Sequence, residues 1–190
     1  MLDGDDAALR GVLDVVQNLQ AAGKIPSSHV LLLGNSNFRE EEILMDPTRY
    51  AQFVMEELLP WAYPDSSSCE LCLWGTSLSG LVVLYMLLLF ACRIERAILQ
   101  SPSAYVEGER IARLLSLSRT EDYRLHVYLS YGLYESPNTA ACRHLTDVFQ
   151  ALACSRDITI TENVFAGGHD ALWWAYEQEK ALLSVFSAKK

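Results

Sequence analysis

The feature that most constrains this fold lies between Cys69 and Cys92, where a small-residue turn separates a short apolar run from a longer one. The first run, CELCLWG, has the length of a buried strand, and the second has the length of a buried helix. The turn, GTSLSG, places Ser77 at its apex, with Gly75 two residues before it and Ser79 two residues after it. A sharp strand-to-helix turn needs small residues there and exposes the central hydroxyl at the edge of a sheet. The segment therefore predicts a nucleophilic serine on an α/β fold.

Two residues that could activate Ser77 come later, in the order that α/β-hydrolases use, with the acid before the histidine. Glu135 follows the apolar run LHVYLSYG, and His169 follows DITITENVF in the loop GGHD. The two glycines permit a tight loop in which an imidazole can reach a serine. His169 would take the serine proton, and Glu135 would orient the imidazole. Asp170 is the alternative acid, and the backbone N–H of Leu78 is the predicted oxyanion donor.

Strands and helices alternate along the chain, which predicts a mostly parallel sheet with helices on both faces, the three-layer α/β-hydrolase fold. Functional groups on such a sheet gather at the carboxyl ends of its strands. One domain, residues 1–190, accounts for this length at 51% hydrophobic and 21% charged content. The predicted strands are 29–36, 69–75, 95–101, 125–132 and 157–165, and the predicted helices are 12–25, 48–63 with an end near Pro60, 81–92, 138–154 and 171–186.

Composition disfavours several classes of function. The net charge of -9 disfavours binding to nucleic acid or to an anionic membrane surface, since both need a basic surface. The longest apolar run, 81–92, is too short to span a bilayer. The acidic N-terminal stretch does not resemble a secretory signal, and five cysteines, an odd number, favour reduced thiols. We therefore expect a cytoplasmic protein that acts on a small molecule, without nucleic acid or membrane as a partner.

The residue types that bind metals show no ligand-like clustering in this sequence. Cys69 and Cys72 have C-x-x-C spacing, but an offset of three residues on a predicted strand puts the two side chains on opposite faces. The histidines other than His169, namely His29, His126 and His144, are isolated from ligand-like neighbours. The sequence therefore predicts neither a metal nor a cofactor.

Seven segments in register resemble the enterochelin esterase group of α/β-hydrolases, relatives of the esterase D type. They are LDG at 2–4, AAGKIP at 21–26, REEE at 39–42 with FVMEELLPW at 53–61, GTSLSG at 75–80, LQSPSAY at 99–105, YGLYESPN at 131–138 and GGHDALWW at 167–174. The resemblance covers nearly the whole chain. It implies hydrolysis of carboxylic esters, with siderophore trilactones of the catecholate type as the best-known substrates and iron release as the purpose.

The resemblance also implies roles for individual residues. It makes Ser77 the nucleophile, His169 the base and Glu135 the acid, although some members of the family are thought to use serine and histidine alone. The LDG stretch resembles a loop that supplies the second oxyanion donor, which would be the backbone N–H of Gly4 or Asp5.

Two further positions match the family pattern. Arg39 lies where the family tends to place a basic residue near the substrate, and a surface salt bridge with Glu42 is the alternative interpretation. Trp173 and Trp174 match an aromatic pair that follows the histidine. Because these tryptophans open a predicted amphipathic helix, we expect at least one of them in the core.

The sequence departs from the family pattern in two places. Ser79 stands where the G-x-S-x-G signature has glycine. Family members also carry several strands before the LDG loop, whereas this chain starts there with Met1, so the strand expected between 29–36 and 69–75 would be nearly absent. Those two strands would then pair directly or leave a gap with unpaired backbone edges.

We therefore expect an N-terminally truncated sheet, and a chain that either self-associates as a homo-oligomer or hydrolyses esters weakly. The favoured function is a siderophore-type serine esterase. The alternatives are a general carboxylesterase or acyl-sugar esterase of the same fold, and a folded module without catalysis.

Overall fold

A parallel sheet forms the centre of the computed structural model, which describes residues 1–34, 39–117 and 124–186. Within these residues the sheet has four strands: β1 (Cys72–Thr76), β2 (Arg96–Gln100), β3 (Leu125–Gly132) and β4 (Ile158–Phe165), in the order β1-β2-β3-β4. All neighbouring pairs are parallel, so the four carboxyl ends lie at one edge. The strands predicted at these positions are confirmed, although β1 begins three residues later than predicted, at Cys72.

Helices cover both faces of the sheet, which confirms the predicted layers. One face carries α1 (Gly4–Leu9), α2 (Val12–Ala21) and α10 (Gln178–Phe186), which pack on Trp74, Ile98 and Tyr128. The other face carries α4 (Pro47–Gln52), α6 (Leu78–Phe90), α7 (Ala104–Leu117, kinked at Glu107) and α8 (Asn138–Ala153). Ala97 and Leu99 of β2 join this second core, because successive side chains of a strand point to opposite faces. The shorter α3 (Arg39–Met45) packs against α4 and α6.

Helix α6 is the most buried helix of the described chain. Its residues from Leu78 to Leu87 are all buried, because the sequence is apolar on every side of the helix. The predicted helix at 81–92 therefore exists, but it begins directly after Ser77 and ends at Phe90. Within the ranges given above, none of the helices combines the length and the apolar character needed to cross a membrane.

Two predicted helices are divided. The helix predicted at 48–63 continues past Pro60 to Ala62, as α4, a π-helical segment (Phe53–Leu58) and α5 (Leu59–Ala62). The missing N–H of Pro60 is tolerated because it falls in the first turn of α5, where the hydrogen-bond pattern changes. The helix predicted at 171–186 is split into α9 (Ala171–Tyr176) and α10 at Glu177, whose buried carboxylate accepts the Tyr128 hydroxyl at 2.6 Å.

The strand predicted at 29–36 is wrong for residues 29–34, which do not join the sheet, and its last two residues lie outside the described ranges. The Met1 amine donates to the Leu31 carbonyl at 2.7 Å, and the Leu33 N–H donates to the Met1 carbonyl at 2.9 Å. On its other side, the Leu2 N–H donates to the Trp74 carbonyl of β1 at 3.0 Å. Residues 1–3 thus lie between the two segments, and so short a neighbour cannot support a regular ladder of hydrogen bonds.

A mainly apolar pocket of about 440 Å³ lies beside these segments and is lined by Met1, Leu2 and Leu71 among others, together with side chains of the π-helical segment and α6. Neither expected arrangement is found among the described residues, because residues 1–3 lie between the two segments and hydrogen-bond to both. Self-association through this region stays a prediction.

Candidate active site

The turn that carries Ser77 is a strained strand-to-helix elbow. Ser77 has φ 55° and ψ -122°, a backbone conformation that residues with a Cβ rarely adopt. Its N–H donates to the Gln100 carbonyl of β2 at 2.9 Å. Its own carbonyl accepts the N–H groups of Gly80 at 3.0 Å and Ser103 at 2.9 Å. These contacts with the neighbouring strand and helix hold the strained residue in place.

Two glycines make this elbow sterically possible. A Cβ added at Gly75 would overlap the carbonyl of Ser79, and one added at Gly80 would lie 2.8 Å from the Cα of Pro102. Both distances are too short for a real side chain, so both positions require glycine. The small residue predicted at position 75 therefore has a direct physical reason.

Ser79, which replaces the glycine of the family signature, is hydrogen-bonded into the same turn. Its hydroxyl accepts the Thr76 N–H at 2.8 Å and donates to the Thr76 carbonyl at 2.8 Å. Both residues are almost fully buried. The serine therefore satisfies two backbone groups at the end of β1 that glycine would leave without this partner.

We expect Ser79→Ala to lower the free energy of unfolding by about 1–3 kcal/mol, because the buried Thr76 N–H would lose its acceptor. Urea unfolding followed by circular dichroism measures this change. Ser116→Ala is the matched control, since Ser116 is exposed and its hydroxyl donates to the Ala112 carbonyl within its own helix, α7. Equal losses in the two variants would contradict the proposed role of the Ser79 hydroxyl.

The structure brings Ser77, His169 and Glu135 together at the carboxyl edge of the sheet. The Nε2 atom of His169 lies 2.8 Å from the Ser77 hydroxyl oxygen, and its Nδ1 atom lies 3.1 Å from Oε2 of Glu135. The three residues follow β1, β4 and β3 respectively. A proton on Nδ1 donated to the carboxylate leaves Nε2 as the acceptor for the serine hydroxyl, the arrangement that activates a nucleophile.

Glu135 is held by four hydrogen-bond donors. Its Oε1 accepts the Ser101 hydroxyl at 2.7 Å and the Gly132 N–H at 2.6 Å, and its Oε2 accepts His169 and the Asn138 amide at 3.1 Å. Burial of the side chain raises the pKa of this carboxyl, but the hydrogen bonds together outweigh burial and lower the pKa below its ordinary value. The carboxylate is thus ionised and fixed in orientation.

Asp170, the alternative acid, has a different partner. Its side chain accepts the Leu172 N–H at 2.7 Å and caps the N-terminus of α9. The geometry therefore favours Glu135 over Asp170 as the group that orients His169.

The loop before His169 needs only one of its two glycines for steric reasons. A Cβ at Gly167 would overlap the ring of Trp173, which stacks on Phe165 at 5.1 Å between ring centroids. A Cβ at Gly168 would meet open space, with nothing closer than 4.0 Å. The close approach of the loop to Trp173 thus depends on Gly167.

Two serines and a tryptophan near the site extend what the sequence predicted. Trp174 is buried, which confirms that at least one tryptophan of the pair belongs to the core, and its ring meets that of His169 edge-on at 4.9 Å. Ser101 contacts Glu135, and the Ser103 hydroxyl lies 3.4 Å from that of Ser77. Both serines lie within three residues of the end of the buried strand β2. Polar residues at the carboxyl end of a parallel strand are the sequence pattern that could have identified them.

The predicted oxyanion donors have different positions. The Leu78 N–H is the first of α6, where helical N–H groups have no acceptor within the helix. The Gly4 N–H donates to the Leu33 carbonyl at 2.6 Å, which contradicts its prediction as an oxyanion donor. Gly4 is instead required by packing, because a Cβ there would lie 2.8 Å from the Leu33 nitrogen. Asp5 lies in the first turn of α1, and its role stays a prediction, as does that of Leu78.

Arg39 opens α3, but its side chain and that of Glu42 lie outside what the structure describes, so neither the substrate contact nor the salt bridge is tested. In the described part of the chain, His, Cys, Asp and Glu side chains form no group of three that could hold a metal ion.

Solved structures of known proteins resemble this architecture. The enterobactin esterase FES from Shigella flexneri matches with a TM-score of 0.80 at 23% identity, over 98% of this chain and 51% of that one. The BES protein from Bacillus cereus matches with a TM-score of 0.69 at 17% identity, over 97% and 80% of the two chains. An IroE-like serine hydrolase from Shewanella oneidensis matches with a TM-score of 0.75 at 15% identity, over 98% of this chain and 68% of that one. The chain shares its fold with these proteins.

This hydrolase fold confirms the predicted α/β class and the structural resemblance to siderophore esterases. The chain spans about half the length of the Shigella enzyme, 51%. No family model matches the chain, and no curated protein matches it. The likeness to known proteins is therefore one of fold.

Proposed function

We propose that this chain is a serine esterase that hydrolyses small-molecule carboxylic esters with Ser77 as nucleophile, His169 as base and Glu135 as orienting acid. The observation that carries the proposal is the position of one imidazole, in hydrogen-bond contact with a strained serine on one side and a buried carboxylate on the other. We further propose a cytosol-like location, in keeping with its five free thiols. The proposed chemistry needs no cofactor.

In the acylation step, Nε2 of His169 takes the hydroxyl proton of Ser77 while Oγ forms a bond to the ester carbonyl carbon. The resulting imidazolium is stabilised by the Glu135 carboxylate. In this proposal the Leu78 N–H, the first of α6, donates to the oxygen that gains negative charge. When the tetrahedral intermediate collapses, the bond to the alcohol oxygen breaks, and the alcohol leaves with the proton from His169.

Deacylation repeats these steps with water. His169 takes a proton from the water molecule as its oxygen bonds to the acyl carbon, and returns that proton to Oγ of Ser77 as the acid is released. The serine and the neutral imidazole are restored, so atoms and charges balance over one turnover.

For the substrate we propose a siderophore-type ester with aryl groups. Exposed apolar side chains lie close in the chain to residues of the site: Tyr134 directly precedes Glu135, Leu172 follows His169 by three positions, and Tyr105 follows Ser103 by two. Aromatic rings of a substrate could stack on such side chains. The structurally similar protein from Shigella flexneri is named as an enterobactin esterase, which supports the same substrate class for this chain.

A general carboxylesterase or acyl-sugar esterase is the second candidate. The net charge of -9 favours it, because a strongly acidic protein repels an anionic ferric complex. A neutral acyl ester would not meet this repulsion.

Steady-state hydrolysis of short-chain nitrophenyl esters, an acyl sugar and a catecholate trilactone distinguishes these proposals. We expect the highest kcat/KM for the trilactone, with or without bound iron, and no turnover by Ser77→Ala. Turnover of nitrophenyl esters and acyl sugars alone would select the second candidate. Absence of turnover with every ester, in a folded protein, would contradict the proposed function and favour a module without catalysis.

A further inference from the structure

Ser101 is a buried residue in a strained backbone directly after β2. It is fully buried and has φ 45°, in the left-handed region that favours glycine. Its N–H donates to the Ser130 carbonyl of β3 at 2.7 Å. A residue with a Cβ in such a conformation costs of order 1–3 kcal/mol and persists where surrounding contacts fix it.

The hydrogen bonds of the Ser101 hydroxyl have a single possible direction. The indole Nε1–H of Trp174 lies 3.0 Å from the hydroxyl oxygen and can only donate. The hydroxyl therefore accepts from Trp174 and directs its own proton to Oε1 of Glu135, 2.7 Å away. This chain of two hydrogen bonds is buried from end to end, where such bonds are stronger than in water.

Trp174 is itself fixed from both sides and also touches the imidazole. Its backbone carbonyl accepts a hydrogen bond from the side-chain NH₂ group of Gln100 at 2.8 Å. The side-chain oxygen of Gln100, Oε1, accepts the indole N–H of Trp74 at 2.8 Å. Its ring packs edge-on against that of His169, at an interplanar angle of 86°. One tryptophan thus contacts the proposed base directly and the proposed acid through Ser101.

We propose that Ser101 and Trp174 are positioning residues, which together hold the Glu135 carboxylate against Nδ1 of His169. This inference rests on the proposed function. The Ser101 hydroxyl and the Gly132 N–H occupy Oε1, which leaves Oε2 to face the imidazole. No proton is transferred along this chain: the Trp174 indole donates to the Ser101 hydroxyl, and the Ser101 hydroxyl donates to Glu135.

Loss of the Ser101 donor would also change the titration of Glu135. Hydrogen bonds to the ionised form lower the pKa of this carboxyl, so removing one raises it. The other titratable groups near Glu135 are His169 and the buried thiol of Cys142, whose pKa is raised by burial above its ordinary range. With a higher pKa, the Glu135 carboxylate is protonated at a higher pH, where it no longer stabilises the imidazolium of His169.

Ser101→Gly separates the role of the hydroxyl from the role of the backbone, because glycine adopts φ 45° without strain. We expect kcat of Ser101→Gly and of Trp174→Phe to fall about 10- to 100-fold, with KM changed less than about twofold. Phenylalanine keeps an aromatic ring beside His169 and removes only the indole donor. Ser116→Ala, on α7, is the control and should retain the activity of the parent chain.

A proton NMR measurement makes the inference independent of turnover. The His169 Nδ1–H that bonds to Glu135 should give a downfield resonance in the parent chain, and this signal should shift or broaden in Ser101→Gly. Parent-like kcat, pH profile and NMR signal in Ser101→Gly would overturn the proposal. If the parent chain hydrolyses no ester, the proposed function fails, and the NMR signal alone then decides whether Ser101 and Trp174 position the pair.

Discussion

Ser77→Ala is expected to lower kcat for ester hydrolysis by about 10⁴- to 10⁶-fold, since the acyl-enzyme can no longer form. His169→Ala should lower kcat by a similar factor, because the hydroxyl 2.8 Å from its Nε2 would lose the base that takes its proton. The two losses should not add in the double variant, because both residues act in one step. Single-turnover and steady-state rates with a nitrophenyl ester measure all three.

A fluorophosphonate probe tests the same assignment without a substrate. It should label Ser77 in the parent chain and leave Ser77→Ala unlabelled, with Ser116→Ala labelled as in the parent. The fold should persist in His169→Ala, because the histidine side chain is 37% exposed and adds little to the core. Parent-like hydrolysis by Ser77→Ala, or labelling of another serine, would show that the nucleophile is misassigned.

Glu135→Gln is expected to lower kcat by on the order of 10³- to 10⁴-fold, far more than Asp170→Asn. An amide at position 135 can no longer stabilise the imidazolium of His169, and its NH₂ group would oppose the donors that now face Oε1. Asparagine at position 170 can still accept the Leu172 N–H and cap α9, so we expect a change below about tenfold. The reverse ranking would assign the acid role to Asp170, and small equal effects would indicate a serine–histidine dyad.

Acid unfolding provides the control for this comparison. The pKa of Glu135 is lower in the folded chain than its unfolded value, so its ionised form stabilises the fold above about pH 4.3. This contribution is lost as the pH falls through the folded pKa. Glu135→Gln should therefore lose less stability on acidification than the parent chain.

The strands of the sheet were predictable because each has a local signal. LHVYLSYG matches β3 residue for residue, since a parallel strand buried on both faces reads as a nearly continuous apolar run. The elbow at Ser77 was equally local, because the need for small residues arises within six positions. The order of serine, acid and histidine then placed the three residues at strand ends.

Other predictions failed because they depended on neighbours that a local pattern does not specify. Residues 29–34 are as apolar as β1, yet they form no strand, because the segment beside them is only three residues long. The Gly4 N–H was expected at the oxyanion, but the Leu33 carbonyl takes it at 2.6 Å. In both cases the partner is distant in the chain.

Spacing and residue size act over a few positions, so local patterns were enough to predict the fold class, the serine elbow and the three residues proposed for catalysis. Which side chains come into hydrogen-bond contact depends on the tertiary structure. The contact of His169 with Ser77 joins residues 92 positions apart, and that of Trp174 with Ser101 joins residues 73 positions apart. Such hydrogen bonds depend on the packing of the whole sheet and its helices, so no local pattern of residues encodes them.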